Sequence, residues 1–469
     1  MFTAFCEQIA ITGSKSKAIC DLCMKLSEIS ATLGEIQVSP VKSLGQNFLH
    51  DQNLSRWMVE QAELSSDDYV VEIGPGLGAL TQLALAKGAE VLAIEKDARL
   101  AAFLHTRFPS KQLKVMHADA LEFDVRTLFA KSRVKLLGNL PYYIASELLL
   151  KFLFFPSPIS LWLFTLQKEM AERLSAVPST KSYGALTLQI QLRYRVEYLR
   201  TIPASVFLPQ PEVDSATVRI SPRDPTELPA CDGDLFVQLV RQGFSQRRKQ
   251  LGKLLREHIP DWERAVAALG LDRQVRAEAL TLAQWIALTN YVRPIVVPDR
   301  RGSANEWFPV VDAGDGLLRN ARRGEVHGDN LRHRAVHILI FNPAGEVFLQ
   351  KRARWKDRHP LLWDSSASGH VSAGEAYDDG ATRELKEEIG IETRLERVAK
   401  LPASDKTDQE FIWLYRGEQA GPFQLNRSEV EGGEFFPPNL VTDWIAARRD
   451  NFAPAFIECW NVYREKMGN

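Results

Sequence analysis

A strand followed at once by alternating glycines is the feature that most constrains how this chain of 469 residues can fold. The apolar run from Tyr69 to Ile73 is typical of a buried strand, and glycines stand at positions 74, 76 and 78 directly after it. Glycine adopts positive φ readily and lets the backbone approach a ligand closely. The pattern therefore predicts an α/β domain in which this strand ends in a cradle for a nucleoside cofactor.

Strand-like and helical runs alternate between Val70 and Ser221. The strand-like runs are Val70–Ile73, Glu90–Ile94, Lys114–His117, Lys135–Leu137 and Leu161–Leu166. Such alternation predicts a doubly wound parallel sheet, here a Rossmann-like domain over residues 40–222. Residues 1–39 before it are expected to form an extension that contains one helix.

The rest of the chain predicts two further domains. Residues 223–292 have helical periodicity without a convincing strand, which predicts a small all-helical domain, and residues 293–304 have the composition of a linker. Residues 305–469 predict a second α/β domain with a carboxylate-rich helix between its last two strand-like runs. The strand-like runs of this domain are Trp307–Val311, Ala335–Phe341, Val347–Gln350 and Glu410–Tyr415.

Composition limits where the protein acts and what it binds. The formal net charge is -1, so any nucleic-acid surface must be a local basic patch. Five cysteines in so long a chain do not make a disulfide framework, which is typical of a reducing cytoplasm. The most apolar stretch, Leu148–Leu166, is interrupted by Lys151 and two prolines and predicts buried core instead of a membrane span. We expect a cytoplasmic protein with no membrane partner.

Two carboxylates extend the cofactor pattern. Glu95 ends the second strand, where a carboxylate accepts hydrogen bonds from ribose hydroxyls. Asp119 follows the third strand, where it can accept a hydrogen bond from an adenine amine. The glycine loop and Glu95 alone also fit a nicotinamide dehydrogenase, so both cofactor classes remain open at this point.

The segment Asn139-Leu140-Pro141-Tyr142 after the fourth strand favours methylation of an exocyclic amine. The Asn side chain and a backbone carbonyl accept the hydrogens of the amine and turn its lone pair toward a methyl donor. Pro141 restricts the backbone and Tyr142 supplies a ring for stacking. In-line methyl transfer requires alignment more than a strong base, so these residues suffice for the chemistry.

Six segments in this order resemble the bacterial small-subunit ribosomal RNA adenine dimethyltransferase family over about residues 20–295. They are Lys42–Leu49, the glycine loop, the Asn-Leu-Pro-Tyr segment, Leu166–Arg173, Phe207–Ser215 and Phe244–Lys249. The resemblance implies S-adenosylmethionine as the donor. It also implies two adjacent adenosines in a ribosomal RNA hairpin loop as acceptors, each dimethylated within a pre-ribosomal particle.

The resemblance also assigns roles to residues of this chain. Cofactor contacts fall on Asn47, Leu49, Gly74, Gly76, Glu95, Asp119 and Asn139. Asn139 is expected to hold the target amine too, within the motif that Leu140 and Pro141 complete. Tyr142 and Phe207 are expected to sandwich the adenine after it is flipped out of the RNA stack.

RNA contact is expected in the all-helical domain, where Arg247, Arg248 and Lys249 are consecutive cations. Further basic residues flank them at 241, 253 and 256, against a single nearby acid at 257. A charge run is often only a solvated face. Beside a base-modifying domain, phosphate contact is the better interpretation.

A second signature begins at Gly369, continues with Glu375, and ends in Arg383-Glu-Leu-Lys-Glu-Glu-Ile-Gly-Ile391. Helical spacing puts Glu384, Glu387 and Glu388 on one face. Carboxylates crowded in this way repel one another unless a hard cation such as Mg²⁺ or Mn²⁺ joins them. The Gly369 carbonyl is a further candidate for the metal shell.

Every fixed position of the Nudix box is present, so this region resembles the Nudix hydrolase superfamily, with its α/β/α sandwich. The resemblance implies metal-dependent hydrolysis of a small diphosphate substrate, with Glu384 as base or ligand. Residues 349–370 are similar to the branch that contains isopentenyl diphosphate isomerase, in which His333, His370 and Glu410 match metal-site positions. That branch uses a cysteine where this chain has Ser368, which argues against isomerisation.

The sequence therefore predicts a bifunctional enzyme, an adenine dimethyltransferase joined to a Nudix hydrolase. One alternative is a ribosome-assembly factor whose first half mainly binds RNA. In a further alternative the second half is a tether, an RNA-end processor or an isomerase-like enzyme.

Overall fold

The computed structural model describes residue 24 and residues 26–40, 46–140, 144–153, 157–297 and 306–468. The chain divides into two compact units. The first comprises residues 1–128, 132–224 and 277–282, and the second comprises residues 129–131, 225–276 and 283–469. The predicted domain boundaries at 39, 222, 292 and 304 stay predictions.

The first unit is built on a seven-stranded sheet in the order β4-β3-β2-β5-β6-β9-β7. The first five strands in this order are parallel to one another. Strand β9 pairs antiparallel with both β6 and β7. A separate two-stranded pair joins β1 to β8. The strands are β1 (Phe48–Leu49), β2 (Tyr69–Ile73), β3 (Glu90–Glu95), β4 (Leu113–His117), β5 (Val134–Asn139), β6 (Ile159–Gln167), β7 (Tyr194–Ile202), β8 (Phe207–Leu208) and β9 (Ser215–Pro222). All five strands predicted for the parallel sheet are present, which confirms the doubly wound prediction.

The strands of this sheet carry apolar side chains on both faces because a hydrophobic core packs against each face. Val71 and Ile73 of β2 belong to one core cluster, whereas Val70, the residue before Val71, belongs to the other. The helices of the unit are α1 (Leu26–Glu35), α2 (Gln52–Gln61), α3 (Thr81–Ala86), α4 (Ala98–Arg107), α5 (Ala145–Phe152), α6 (Lys168–Leu174) and α7 (Ala185–Gln191). The helix predicted in the extension is thus present as α1, although residues 1–23 lie outside the described part of the chain.

The position of β2 fixes where a ligand can bind. The chain runs from β2 to β3 and β4 on one side, then returns to place β5 on the other side of β2. Strand order therefore reverses at β2, and a crevice opens beyond the carboxyl ends of such strands. The predicted glycine loop lies at this switch point.

The second unit begins with the helices predicted for residues 223–292. They are α8 (Gly233–Gly243), α9 (Leu251–Leu254), α10 (Trp262–Leu269) and α11 (Leu282–Val292). Phe236 and Leu239 of α8 and Trp285 of α11 are fully buried. Asp232 begins α8 by accepting hydrogen bonds from the backbone N–H groups of residues 234 and 235.

The same unit contains a mixed seven-stranded sheet in which β14, β13, β12, β17 and β16 are successive neighbours, β15 pairs with β12 and β18 pairs with β13. Strands β12 and β17 are parallel, and β10 and β11 form a separate hairpin. The strands are β10 (Trp307–Val311), β11 (Leu317–Arg322), β12 (His333–Phe341), β13 (Val347–Arg352), β14 (Trp363–Asp364), β15 (Ala367–His370), β16 (Glu396–Leu401), β17 (Glu410–Glu418) and β18 (Val430–Phe436). The four predicted strands and the second α/β fold are confirmed.

Among the described residues, four helices complete this unit, namely α12 (Arg323–Gly328), α13 (Tyr377–Ile389), α14 (Pro438–Ala447) and α15 (Pro454–Met467). Helix α13 is the predicted carboxylate helix. Its residues Ala381, Leu385 and Ile389 are fully buried against β12 residues such as Val336 and Ile338. That packing turns the carboxylates of α13 toward β15.

None of the helices in the described ranges is long and apolar enough to cross a membrane.

Candidate active sites

The glycine loop after β2 requires glycine for two physical reasons. Gly74, Gly76 and Gly78 have φ of 63°, 57° and 83°, a left-handed conformation that disfavours other residues. A Cβ atom on Gly76 would also lie 3.0 Å from the ring of Phe48. The loop therefore turns tightly and packs closely against β1.

A cavity of about 90 Å³ lies beside this loop. It is lined by residues 46–48, Ile73, Gly74, Gly76, residues 94–96, Leu100, residues 118–120, Asn139 and Ile144. Six of the seven residues predicted to bind the cofactor line it: Asn47, Gly74, Gly76, Glu95, Asp119 and Asn139. The seventh, Leu49, lines a smaller neighbouring hollow with His50 and Gln52, so its contact with the cofactor stays a prediction.

Glu95 is held in position by the backbone on both sides of the cavity. Its carboxylate accepts hydrogen bonds from the N–H groups of Gly76, at 3.1 Å, and Asp97, at 2.9 Å. Burial raises the pKa of Glu95, and these two hydrogen bonds partly oppose that effect. The side chain is 6% exposed, so it can meet a ligand only from within the cavity.

Asp119 faces the same cavity with a cation beside it. Lys96 Nζ donates a hydrogen bond to Asp119 Oδ2 at 2.6 Å, and this contact lowers the pKa of Asp119. The backbone N–H of Leu121 donates to the other carboxylate oxygen at 2.9 Å. The carboxylate is therefore an ionised hydrogen-bond acceptor in a fixed orientation.

Among the described residues, the side-chain amide of Asn139 is hydrogen-bonded through its nitrogen but not through its oxygen. Its Nδ2 donates to the carbonyl oxygen of Asn47 at 2.9 Å, which orients the amide. Its Oδ1 is buried and accepts no hydrogen bond from the residues that the structure describes. A buried acceptor without a partner is costly, and here it lies at the cavity where a ligand N–H can satisfy it.

Of the other residues in the predicted Asn-Leu-Pro-Tyr motif, the structure describes only Leu140. Leu140 is 1% exposed in the core, and its N–H donates to the carbonyl oxygen of Thr165 at 3.1 Å. Leu140 thus anchors the motif to β6. Pro141 and Tyr142 lie outside the described residues.

Phe207 does not line the cavity. It is 3% exposed and packs in a core cluster with residues of α2 such as Leu54 and Met58, while its backbone pairs with Leu49. Its stacking on a flipped base stays a prediction, because that role requires a face of the ring that is covered in this state.

Glu72 is a buried acid whose environment the sequence did not reveal. It lies on β2, is 2% exposed, and accepts a hydrogen bond from Thr81 Oγ1 at 2.5 Å. Burial raises the pKa of Glu72 to about 7, and repulsion from Glu95 adds to the effect. The sequence feature that could have identified Glu72 is its position near the end of β2, two residues before Gly74.

The second site lies on helix α13 and strand β15. The helix ends at Gly390, which has a φ of 73°. Glu388 is 2% exposed, and its Oε2 accepts hydrogen bonds from Gln350 at 2.8 Å and from the Ser368 N–H at 2.9 Å. Burial raises the pKa of Glu388, whereas the side chain of Glu387 is 54% exposed.

Glu384 is pressed against the backbone of Gly369. A Cβ atom at position 369 would overlap the Glu384 carboxylate, so only glycine fits there. Burial, followed by repulsion from Glu388, raises the pKa of Glu384 to about 8. Glu384 and Glu388, two adjacent carboxylates with raised pKa values, form an arrangement that a divalent cation would stabilise, which fits the predicted metal.

Arg383 organises the exposed side of this acidic cluster. Its guanidinium pairs with Glu375 at 2.8 Å, Glu384 at 2.7 Å and Glu387 at 3.1 Å. It also donates to the carbonyl oxygen of His370 at 3.0 Å. Arg383 is thus placed to orient the carboxylates of Glu375 and Glu384.

Three histidines form a cluster next to the carboxylates. One ring nitrogen each of His327, His333 and His370 lies within 4.8 Å of the others. His370 Nε2 is 3.1 Å from Glu410 Oε1, and burial lowers the pKa of His370 to about 3. His333 Nε2 is buried without a hydrogen-bond partner among the described residues.

The structure thus brings His333, His370 and Glu410 together, as their sequence positions suggested. His327 was missed because it lies on the short helix α12, far from the box, with no spacing pattern to mark it. Neutral imidazoles and a nearby carboxylate are common metal ligands, so the cluster has the donor chemistry of a metal site.

Residues of the acidic cluster and of the histidine cluster line one cavity of about 440 Å³. Its walls include Gly369, Glu384, Glu387 and Glu388, together with His327, His370 and Glu410. Four cations outside the box also line it: Arg323, Arg352, Lys356 and Arg358. Metal-binding acids and cations that can contact phosphate therefore share one space.

The predicted RNA-binding residues Arg247, Arg248 and Lys249 lie in an exposed turn after α8. A surface turn leaves such cations accessible to a phosphate backbone. Their role in RNA binding stays a prediction.

Comparison with known proteins finds two family matches in one chain. A family model described as ribosomal RNA adenine dimethylase matches residues 39–293, and a model described as NUDIX domain matches residues 331–456. The chain is 39% identical over 267 residues to ribosomal RNA small subunit methyltransferase A of Geobacillus kaustophilus, covering 54% of this chain and 91% of that protein.

A protein of the same name from Prosthecochloris aestuarii is 41% identical over 259 residues, covering 55% of this chain and 96% of its own length. Among solved structures, a dimethyladenosine transferase from Plasmodium falciparum is similar with a TM-score of 0.46 and 25% identity, covering 51% of this chain and 95% of that one.

We predict that Glu72→Gln removes a pH dependence of stability. Since the folded-state pKa of about 7 exceeds the ordinary value of 4.5, the folded state binds the extra proton between these values. Stability from this group is therefore complete below pH 4.5 and is lost as pH rises through 7, by on the order of 3 kcal/mol. Calorimetric melting between pH 5 and pH 8 should show that the variant is more stable than wild type only at the high end.

Glu60→Gln, at an exposed position on α2, is the matched control and should leave the pH profile unchanged. Parallel pH profiles for wild type and Glu72→Gln would contradict the prediction.

Proposed function

Because the chain belongs to the ribosomal RNA adenine dimethylase family and carries a Nudix domain, we propose that it is a bifunctional enzyme. The first activity is dimethylation of two adjacent adenosines in a small-subunit ribosomal RNA hairpin loop, within a pre-ribosomal particle. The second is metal-dependent hydrolysis of a small diphosphate substrate. Ribosome assembly places the protein in the cytoplasm.

The observation that carries the first activity is the unsatisfied Oδ1 of Asn139 at the cavity. S-adenosylmethionine supplies an electrophilic methyl group when bound. Asn139 Oδ1 accepts an N–H of the adenine amine and so turns the nitrogen lone pair toward that group. The hydrogen bond from Asn139 Nδ2 to the Asn47 carbonyl keeps the amide from flipping.

The other cavity residues hold the cofactor. Glu95, fixed by two backbone N–H groups, accepts hydrogen bonds from ribose hydroxyls, and Asp119 accepts one from the cofactor adenine. The glycine loop lets the protein backbone approach the cofactor without a Cβ clash. Tyr142 and Phe207 are proposed to stack on the flipped base, with Phe207 uncovered when RNA binds.

We expect Asn139→Ala to lower the rate of methyl transfer about 100-fold or more, since it removes an aligned acceptor at the reacting centre. The measurement is transfer of labelled methyl from S-adenosylmethionine to undermethylated small-subunit particles. Asn320→Ala, at an exposed position on β11, serves as the control.

Failure of wild type to transfer methyl under these conditions would defeat the proposal. It would favour the alternative, an assembly factor whose first half binds RNA without modifying it.

RNA binding is proposed to use the exposed turn after α8. Simultaneous Arg247→Gln, Arg248→Gln and Lys249→Gln should weaken binding and reduce the slope of log affinity against log salt by about 2 to 3. The control replaces three other exposed cations, Lys87, Lys111 and Lys114, with glutamine. Equal salt slopes for both triple variants would show that the turn does not contact phosphate.

The observation that carries the second activity is the pair of carboxylates Glu384, whose side chain is 13% exposed, and Glu388, which is 2% exposed, each with a raised pKa. With Glu387 they can hold Mg²⁺ or Mn²⁺, and such an ion neutralises a diphosphate and activates water. Arg323, Arg352 and Lys356 line the same cavity and can bind phosphate oxygens. Glu384 is proposed as metal ligand or base.

Hydrolysis is favoured over isomerisation because of Ser368. This residue stands where the isomerase branch has cysteine, and its hydroxyl is committed to Asp364 Oδ2 at 3.3 Å. The histidine cluster is proposed as a second metal site. The buried Nε2 of His333, 3.5 Å from Glu410 Oε1, and the lowered pKa of His370 support this assignment.

The two metal sites should be separable by substitution. In Mn²⁺ titrations, Glu387→Gln is expected to lose one bound ion and to reduce diphosphate hydrolysis about 100-fold or more. His327→Asn is expected to lose the other ion instead. Each variant is the control for the other. Unchanged metal content in both, with no metal-dependent hydrolysis of any diphosphate tested, would favour the tether alternative.

A further inference from the structure

The helix α1 precedes the residues that match the dimethylase family, which begin at residue 39. It nevertheless packs against the wall of the first cavity. Ile29, Leu33 and Val38 form one buried cluster with Phe48, Leu77 and Leu100. Two of these partners, Phe48 and Leu100, line the cavity, and Leu77 lies within the glycine loop.

Phe48 makes a close contact with the glycine loop at Gly76. Phe48 lies between α1 and Gly76, with its ring 3.0 Å from the position that a Cβ on Gly76 would take. The ring therefore fills the space that a side chain at position 76 would occupy, and the buried residues of α1 pack in the same cluster as this ring. The Gly76 N–H in turn donates to Glu95, so the position of Phe48 bears on that hydrogen bond.

A second connection reaches Glu95 from the end of α1. Gln37 has a φ of 56°, and the N–H of Val38 donates back to the carbonyl of Leu33 at 2.9 Å, which ends the helix. The exposed carbonyl of Gln37 accepts a hydrogen bond from Arg99. Arg99 pairs with Asp97, whose N–H donates to Glu95 at 2.9 Å.

We infer that α1 and the turn after it are a positioning element of the cofactor site, with Leu33 and Ile29 holding Phe48, the glycine loop and Glu95 in their binding arrangement. This inference rests on the proposed methyltransferase function. The residues of α1 do not touch the cavity themselves, so they act through Phe48 and Glu95. Their effect should fall on cofactor affinity and leave the chemical step nearly unchanged.

The test uses the full chain with Leu33→Ala, and with Leu26→Ala as the control on the same helix. Leu33 is 5% exposed, whereas Leu26 is 48% exposed. Calorimetric titration with S-adenosylhomocysteine should show an approximately tenfold higher Kd for Leu33→Ala and no change for Leu26→Ala. The KM for S-adenosylmethionine should rise in parallel, with kcat at saturating donor within about twofold.

A readout without ligand separates positioning from general loss of stability. In the cofactor-free protein, amide hydrogen exchange of residues 74–80 should be faster in Leu33→Ala than in Leu26→Ala. A volume-conserving Leu33→Met should restore wild-type affinity. Should Leu33→Ala fail to fold, Ile29→Val carries the same test with a smaller expected increase in Kd.

The outcomes are distinct. A lower melting temperature with an unchanged Kd and unchanged loop exchange would overturn the inference and leave α1 a structural helix. Absence of S-adenosylhomocysteine binding by wild type would instead overturn the proposed function.

Discussion

The parallel pairing of β2 with β3 on one side and β5 on the other is the constraint on which the first site depends. Ile73, the last residue of β2, pairs with Ile94 and with Gly138. The next residue on each strand is therefore Gly74, Glu95 or Asn139, and all three emerge at the same edge of the sheet. A shift of one residue in either pairing would turn alternate side chains to the opposite face and separate this set.

Close backbone approach has the same role in both sites. In the first, the turns at Gly74 and Gly76 leave room for a ligand and direct an N–H at Glu95. In the second, the missing side chain of Gly369 admits the carboxylate of Glu384. In each case the backbone of a glycine lies against a carboxylate, through the N–H at Gly76 and through the space left at Gly369, and burial raises the pKa of that carboxylate.

Strand ends explain where the structure places most of the residues predicted for the first site. Glu95, Asp119 and Asn139 line one cavity because parallel strands bring the residues at and after their carboxyl ends to one edge. Asn47 lines the same cavity from the segment just before β1. Leu49 and Phe207, by contrast, do not line that cavity. They pair with each other in a short two-stranded sheet. Their place depends on how a distant segment folds back, which local sequence does not report.

Helical spacing and glycine patterns thus determined, from the sequence alone, which folds were available and where the two kinds of chemistry would lie. Periodicity reports such features because strand and helix geometry depend on neighbouring residues. Only the tertiary structure decided that His327 joins His333 and His370, that Glu72 is buried beside the glycine loop, and that α1 supports Phe48. These are contacts between segments remote in sequence, and burial and electrostatic environment arise only when such segments meet.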